Sequence, residues 1–246
     1  GPPASYSLAC SRYMYEYGED KTRQAMSEIA VSTRKWANLN PKAYFYEKTM
    51  NFDDYHNSKW ISWPFHLLDC CLVTDAGAAV VITTPERAKN CRKSEVSILG
   101  AGEGHDHSMI SQMPDLTQAF GKVTGPQAIK MAGIHLKDLD LTMIYDSFTY
   151  TVLVSLENLG FCNPGEGADF IANQRTSPSG EFPLNTNGGG LSYTHPGMYG
   201  IFALVEAVRQ LRGEGGERQV PQCNLALAHG TGGLLSSTST VILGNT

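Results

Sequence analysis

Several classes of protein are excluded by what this 246-residue sequence lacks. No apolar run reaches the roughly 18–20 residues that a spanning helix needs, so no membrane span is expected. The longest runs, near residues 76–82, suit buried strands. The opening GPPASYSLAC has no basic segment leading into an apolar core and does not read as a signal peptide. A start at Gly rather than Met fits a tag remnant, a processed end or a partial chain. There is no long basic cluster and the net charge is -5, which argues against nucleic acid and anionic membranes as partners. Cysteine is sparse and scattered: six residues without a C-x-x-C pair suit neither a zinc framework nor a secreted disulfide scaffold. Free thiols in a reducing cytoplasm are the expectation. His105, Asp106 and His107 lack further ligands at a familiar spacing, so no metal site is expected there.

What is present centres on residues 185–200, NTNGGGLSYTHPGMYG. Gly188, Gly189 and Gly190 permit backbone turns and close approaches that a β-carbon forbids. Pro196 suits a first helical turn, and Ile201, Leu204, Val205, Val208 and Leu211 then recur at helical spacing, predicting a buried face. Tyr193 and His195 are thereby expected just before a helix N-terminus, where free N–H groups favour a developing negative charge.

Along the chain, residues 7–17 and 20–38 read as helices, the second with Asp20 as its N-cap. Residues 39–66 read as an irregular covering segment. Two apolar runs flanking residues 75–77 predict a strand pair, followed by a helix from Pro85. From about residue 92 the order is strand, helix (124–133), strand ending at Tyr145 and Asp146, helix stopping at Gly160, a long loop over 161–187, helix, strand ending at His229, and a last strand. This is an α/β layered pattern. Residues 1–91 read as the end of one unit and 92–246 as a second. A strand pair as apolar as that around 75–77 should not stand alone, so its sheet is expected upstream or on another chain. Tyr145 and Asp146, Tyr193 and His195, and His229 all follow predicted strands, and strand ends in such sheets converge on one cleft.

These stretches resemble the thiolase superfamily. NTNGGGLSYTHPGMYG is similar to its GGxxxxGHPxGxSG motif, AHGTGGLLSSTSTVIL to its CxGGGxG ending, YDSF to its NEAF/HEAF segment, and LLDCCLVTDAGAAVVITTPERA to the strands closing its N-terminal half. The similarity runs over the whole chain and is nearest the sterol carrier protein/lipid-transfer branch. It implies a thiolase-like layered α/β/α/β/α fold, of which the end of the N-terminal half and the C-terminal half are present. It implies a homodimeric core and coenzyme A as part of an acyl-CoA thioester substrate, with no separate cofactor. It also implies a small acyl-CoA-binding partner of OB-fold and zinc-ribbon type.

The departures redirect the chemistry. His229 stands where the second thiolase cysteine would be, Asp146 where the oxyanion Asn or His would be, and Tyr193 lies two residues before the retained His195. No residue matches the nucleophilic cysteine, which the family carries in the N-terminal half. Thiolase-like aldolases that cleave steroid CoA side chains resemble this pattern, working with tyrosines instead. Retro-aldol cleavage needs a base for a β-hydroxyl, donors for a thioester enolate and an acid for the α-carbon. On that reading Tyr145 and Tyr193 exchange protons and Asp146 orients a tyrosine. His195 and the main chain of Gly188, Gly189 and Gly190 stabilise the enolate, while His229 and Gly230 line the cleft. Propionyl-CoA or a similar acyl-CoA would be released. An acyltransferase with an upstream cysteine and a non-catalytic lipid-binding scaffold are the alternatives.

Overall fold

The computed structural model describes residues 1–245. Two helices open the chain, α1 (Pro2–Tyr17) and α2 (Glu19–Ala37), close to where the apolar spacing places them. Asp20 does not cap α2; Gly18, with φ 104°, makes the break and Asp20 lies in the first turn. Residues 39–66 are largely irregular, holding only α3 (Phe52–His56) and a short hairpin of β1 (Trp60–Ser62) and β2 (Phe65–His66).

The strand pair expected around residues 75–77 does not form. Residues 71–84 run without regular structure, and Val73, Val81 and Ile82 are 98%, 92% and 75% exposed. Their apolar sequence finds no neighbouring strand among the described residues, and an unpaired strand has no ladder to fix it. A single turn, α4 (Pro85–Ala88), follows.

The remainder builds one four-stranded sheet in the order β3-β6-β5-β4, from β3 (Ser97–His105), β4 (Leu141–Ile144), β5 (Leu225–Gly232) and β6 (Ser237–Gly244). β4 and β5 are parallel and the other pairs antiparallel. Alternation along β5 divides the core. Leu227 faces α5 (Gly121–Ala132) and α6 (Thr149–Leu159), whereas Ala226 and Ala228 face α8 (Gly200–Leu211). A β-carbon on Gly100 would lie 2.1 Å from the Ala128 carbonyl, so β3 takes glycine where α5 crosses it. Every residue of α6 is buried, packed among α2, α5 and α7, and α6 stops at Gly160 in the left-handed conformation. Within 161–187 only α7 (Gly167–Ile171) is helical, and Leu184 then runs beside β4.

Two expectations about α8 change. It begins at Gly200, so Pro196 lies outside it. Its deeply buried face carries Phe202, Ala203, Glu206, Ala207 and Gln210, while Ile201, Leu204, Val205 and Val208 are only partly covered. Polar residues displace the predicted stripe because Glu206 is paired: Arg218 donates to both of its oxygens at 2.9 Å, and Thr186 and Gln210 add further bonds.

Candidate active site

The site begins where β4 ends. The Tyr145 N–H donates to the His229 carbonyl at 2.9 Å, extending the ladder by one residue, and the chain then turns to begin α6. Tyr145 projects towards α8, its ring 5.6 Å from that of Tyr199. Asp146 points the other way and is 0% exposed. Its carboxylate accepts the Gly190 N–H at 2.6 Å and the Leu191 N–H at 3.2 Å. Burial pushes its pKa up to about 7 against these two donors, which act to lower it.

That carboxylate accounts for the glycines. Residues 189–193 form a single wide helical turn after Gly188, whose φ is +100°. A β-carbon on Gly188 would lie 2.6 Å from that of Ala37, and one on Gly189 would lie 2.0 Å from Asp146 Oδ2. The glycines bring the loop up to α2 and to a buried carboxylate. Their N–H groups are engaged within the protein, Gly189 donating to Asn187 Oδ1 at 2.9 Å. Arg34 of α2 donates to Ser192 Oγ at 2.9 Å and steadies the turn from outside.

The loop delivers His195 to Tyr145. Its Nε2 lies 2.7 Å from the Tyr145 hydroxyl. Thr74 holds the backbone: its hydroxyl accepts the His195 N–H at 2.8 Å, and its own N–H donates to the His195 carbonyl at 3.3 Å. Burial lowers the His195 pKa, with hydrogen bonding to its own backbone and that of Leu72 pulling the other way. The Tyr145 pKa is raised, first by burial and then by Cys71, Tyr6 and Asp146. At neutral pH a phenol that keeps its proton thus faces a neutral imidazole, and the tautomer sets which of them donates.

Tyr145 and His195 open onto a cavity of about 1290 Å³. Pro3, Tyr6, Ile61, Leu67 and Phe148 give it an apolar wall; Gly230, Ser237 and Ser239 give it a polar one. Gly230 thus lies where the sequence places it, while Gly188, Gly189 and Gly190 are buried behind the surface. Tyr193 does not join that lining: it is half-buried beside Phe202, with ring centroids 6.1 Å apart.

His229 is not brought to the cleft. β5 continues past it to Gly232, so it lies within the strand and its parity turns it towards α5. Its Nδ1 is 2.9 Å from Thr240 Oγ1, and its ring stands against Gly121. Burial lowers its pKa to about 4. Tyr6, Cys71, Thr74 and Ser147 join the site without having been singled out. Cys71 and Ser147 sit inside motif stretches already quoted, but nothing local marks Tyr6, which arrives from the far end of α1.

A sheet with helices on both faces, and a tyrosine–histidine pair in a cavity past a parallel strand, define an α/β protein with two hydrogen-bonded titratable groups facing that cavity. Comparison with known proteins makes this specific. The profile of the thiolase C-terminal domain-like family matches residues 102–245, and the chain belongs to that family. It is 38% identical over 253 residues to the steroid side-chain-cleaving aldolase of Thermomonospora curvata, covering 98% of this chain and 62% of that protein. It is 38% identical over 218 residues to the 17-hydroxy-3-oxo-4-pregnene-20-carboxyl-CoA lyase of Mycobacterium tuberculosis, covering 86% and 55%. Among solved structures, the Ltp2-ChsH2(DUF35) aldolase superposes with a TM-score of 0.91 at 35% identity, over 100% of this chain and 64% of that one. The thiolase-like fold is therefore shown. The chain spans roughly three fifths of the length of these relatives.

Proposed function

We propose that this chain carries the proton-transfer side of a thiolase-fold aldolase. The reaction is retro-aldol cleavage of a steroid-type β-hydroxyacyl-CoA into a ketone and propionyl-CoA or a similar acyl-CoA. The observation that carries this reading is the Tyr145–His195 hydrogen bond of 2.7 Å inside the cavity. A phenol is a poor base at its ordinary pKa of about 10. Paired with a neutral imidazole, it can pass its proton to Nε2 as it takes one from the substrate hydroxyl. The hydroxyl oxygen becomes the ketone oxygen, the Cα–Cβ bond breaks, and its electrons form the thioester enolate. Return of a proton to the α-carbon completes acyl-CoA, leaving no net change in protons. Tyr193, the second candidate on the same loop, stands against Phe202 outside the cavity lining, so the proton returned to the α-carbon is assigned to the Tyr145–His195 pair. Asp146 acts through the loop it binds.

Acyl transfer would need a thiolate. Cys71 lines the cavity, but burial, with Asp146 nearby, pushes its pKa up to about 12, so it stays a thiol at neutral pH. That makes Cys71 unfit as the nucleophile of an acyl transfer. A homodimeric core and a small acyl-CoA-binding partner belong to the proposal. The second is supported by the similar Ltp2-ChsH2(DUF35) aldolase, whose name joins two components. All six cysteines are free, which fits a cytoplasmic location. No helix among the described residues is long and apolar enough to cross a membrane.

The test is to incubate the purified protein with a steroid β-hydroxyacyl-CoA and quantify ketone and propionyl-CoA by mass spectrometry. Equimolar products, lost in Tyr145→Phe with folding intact, are expected. Undiminished cleavage by Tyr145→Phe and by Tyr193→Phe would rule the tyrosine route out.

A further inference from the structure

The enolate oxygen needs donors, and those that the glycine motif promises are already in use. Gly189 N–H donates to Asn187, Gly190 and Leu191 N–H donate to Asp146, and His195 N–H donates to Thr74. The imidazole Nε2 faces Tyr145. Donors therefore have to be sought among the side chains that line the cavity.

Of the buried hydroxyls in the lining, two stand beside Tyr145. Tyr6 reaches the cavity from α1; its residue is 4% exposed and its ring lies 4.7 Å from that of Phe148. Its O–H donates to the Gly233 carbonyl at 3.4 Å, a long bond that a better acceptor can replace. Ser147, 8% exposed, is two residues past Tyr145 and also lines the cavity. Its Oγ is 2.9 Å from Thr151 Oγ1, and when Thr151 is the donor the Ser147 proton turns towards Tyr6 and the cavity. The Ser147 carbonyl fixes the opposite wall by accepting the Cys71 N–H at 3.1 Å. Tyr6 is close enough to Tyr145 to raise its pKa, while burial raises that of Tyr6 itself and a hydrogen bond from Ser147 pulls it back. Ser237 and Ser239, on the far wall, are less buried, and a hydroxyl in water stabilises charge far less than one shielded from it.

We infer that Tyr6 and Ser147 form the oxygen-binding side of the site, their hydroxyls holding the thioester carbonyl oxygen as it becomes an enolate. This rests on the acyl-CoA reading above, and it replaces a main-chain oxyanion site with a side-chain one. As the Cα–Cβ bond breaks, electron density moves onto that oxygen and the two O–H···O hydrogen bonds to it shorten. When the α-carbon is reprotonated the density returns. No proton leaves either hydroxyl.

The experiment uses propionyl-CoA carrying ¹³C at the thioester carbonyl, bound to the purified wild-type chain, Tyr6→Phe and Ser147→Ala. Infrared difference spectra read the carbonyl stretch, and cleavage of the β-hydroxyacyl-CoA is followed in parallel. Wild type should shift the stretch to lower frequency, and each variant should lose part of that shift. Each should also lose roughly 10²-fold in kcat with little change in KM, the size of one oxyanion donor. Tyr6→Phe keeps the ring packed on Phe148, so its melting temperature should match that of wild type. A shift unchanged in both variants, a wild-type carbonyl that does not shift, or a wild-type chain that does not bind propionyl-CoA overturns the inference. A carbonyl shift that depends on Tyr6 and Ser147 without any cleavage keeps the oxygen site and overturns the lyase reading. Cleavage with an unchanged shift does the reverse.

Discussion

Two histidines follow strand sequences, and the fold treats them oppositely. His195 is half-buried on a loop, its Nε2 against the Tyr145 phenol and its ring at a cavity. His229 is 1% exposed within β5, bonded to Thr240 and packed on Gly121. Both are neutral imidazoles whose pKa burial lowers. The difference lies in what each faces. On a loop beyond the Gly189–Tyr193 turn a side chain can reach the cleft; inside the strand, parity alone decides between cleft and core.

Breaking His195 should have the largest effect. His195→Ala removes the proton acceptor and should lower cleavage by about 10²–10⁴-fold in steady-state assays, with a nearly unchanged melting temperature. The next effect separates the loop from the chemistry. Asp146→Ala leaves two buried N–H groups without acceptors, at roughly 1–3 kcal/mol each by urea unfolding. Asp146→Asn, which retains one carbonyl oxygen, should lose less. His229→Ala should behave in the opposite way to His195→Ala. It should lower stability by roughly 2–4 kcal/mol while the rate per folded molecule stays near that of wild type. A large rate loss there would bring His229 back into the site.

The smallest effect is the pH dependence. The folded-state pKa of His229, about 4, lies below its ordinary 6.5. The unfolded chain therefore takes up the proton first, and stability that is complete above pH 6.5 is lost as pH falls towards 4. Asp146, raised to about 7 from 3.8, works in the other direction: its contribution is complete below 3.8 and lost as pH rises through 7. Comparing wild type with His229→Gln isolates the histidine. Wild type should lose roughly 2–3 kcal/mol more than the variant between pH 6.5 and 4, measured by denaturant titration.

Much of this was legible in the sequence because it is local. The α1 and α2 periodicity, the Gly160 stop and the alternating β-rich runs of the sheet each depend on near neighbours. Tyr145 was legible as a strand-end residue and His195 through its motif, although a helical turn and not a strand delivers His195. What failed was non-local. The run at 72–84 has strand composition but no neighbouring strand, so Val73 and Val81 stand exposed. The apolar stripe of α8 was misplaced because Glu206 is buried against Arg218, twelve residues further on. The glycine N–H groups were assigned to a ligand because no sequence pattern shows that Asp146, forty-four residues earlier, accepts them. Tyr6 reaches the cavity only through the docking of α1.

The clamp between Asp146 and Gly190 also has a consequence in time. It joins positions separated by forty-four residues, and the Tyr145–His195 bond joins positions separated by fifty. α6 lies between them and can form early from local contacts, whereas these closures have to wait until α6, α7 and the long loop have docked. Recovery of the shielded Tyr145 signal on refolding should therefore trail recovery of helical signal. The active site would then serve as a clock that marks the last stage of folding.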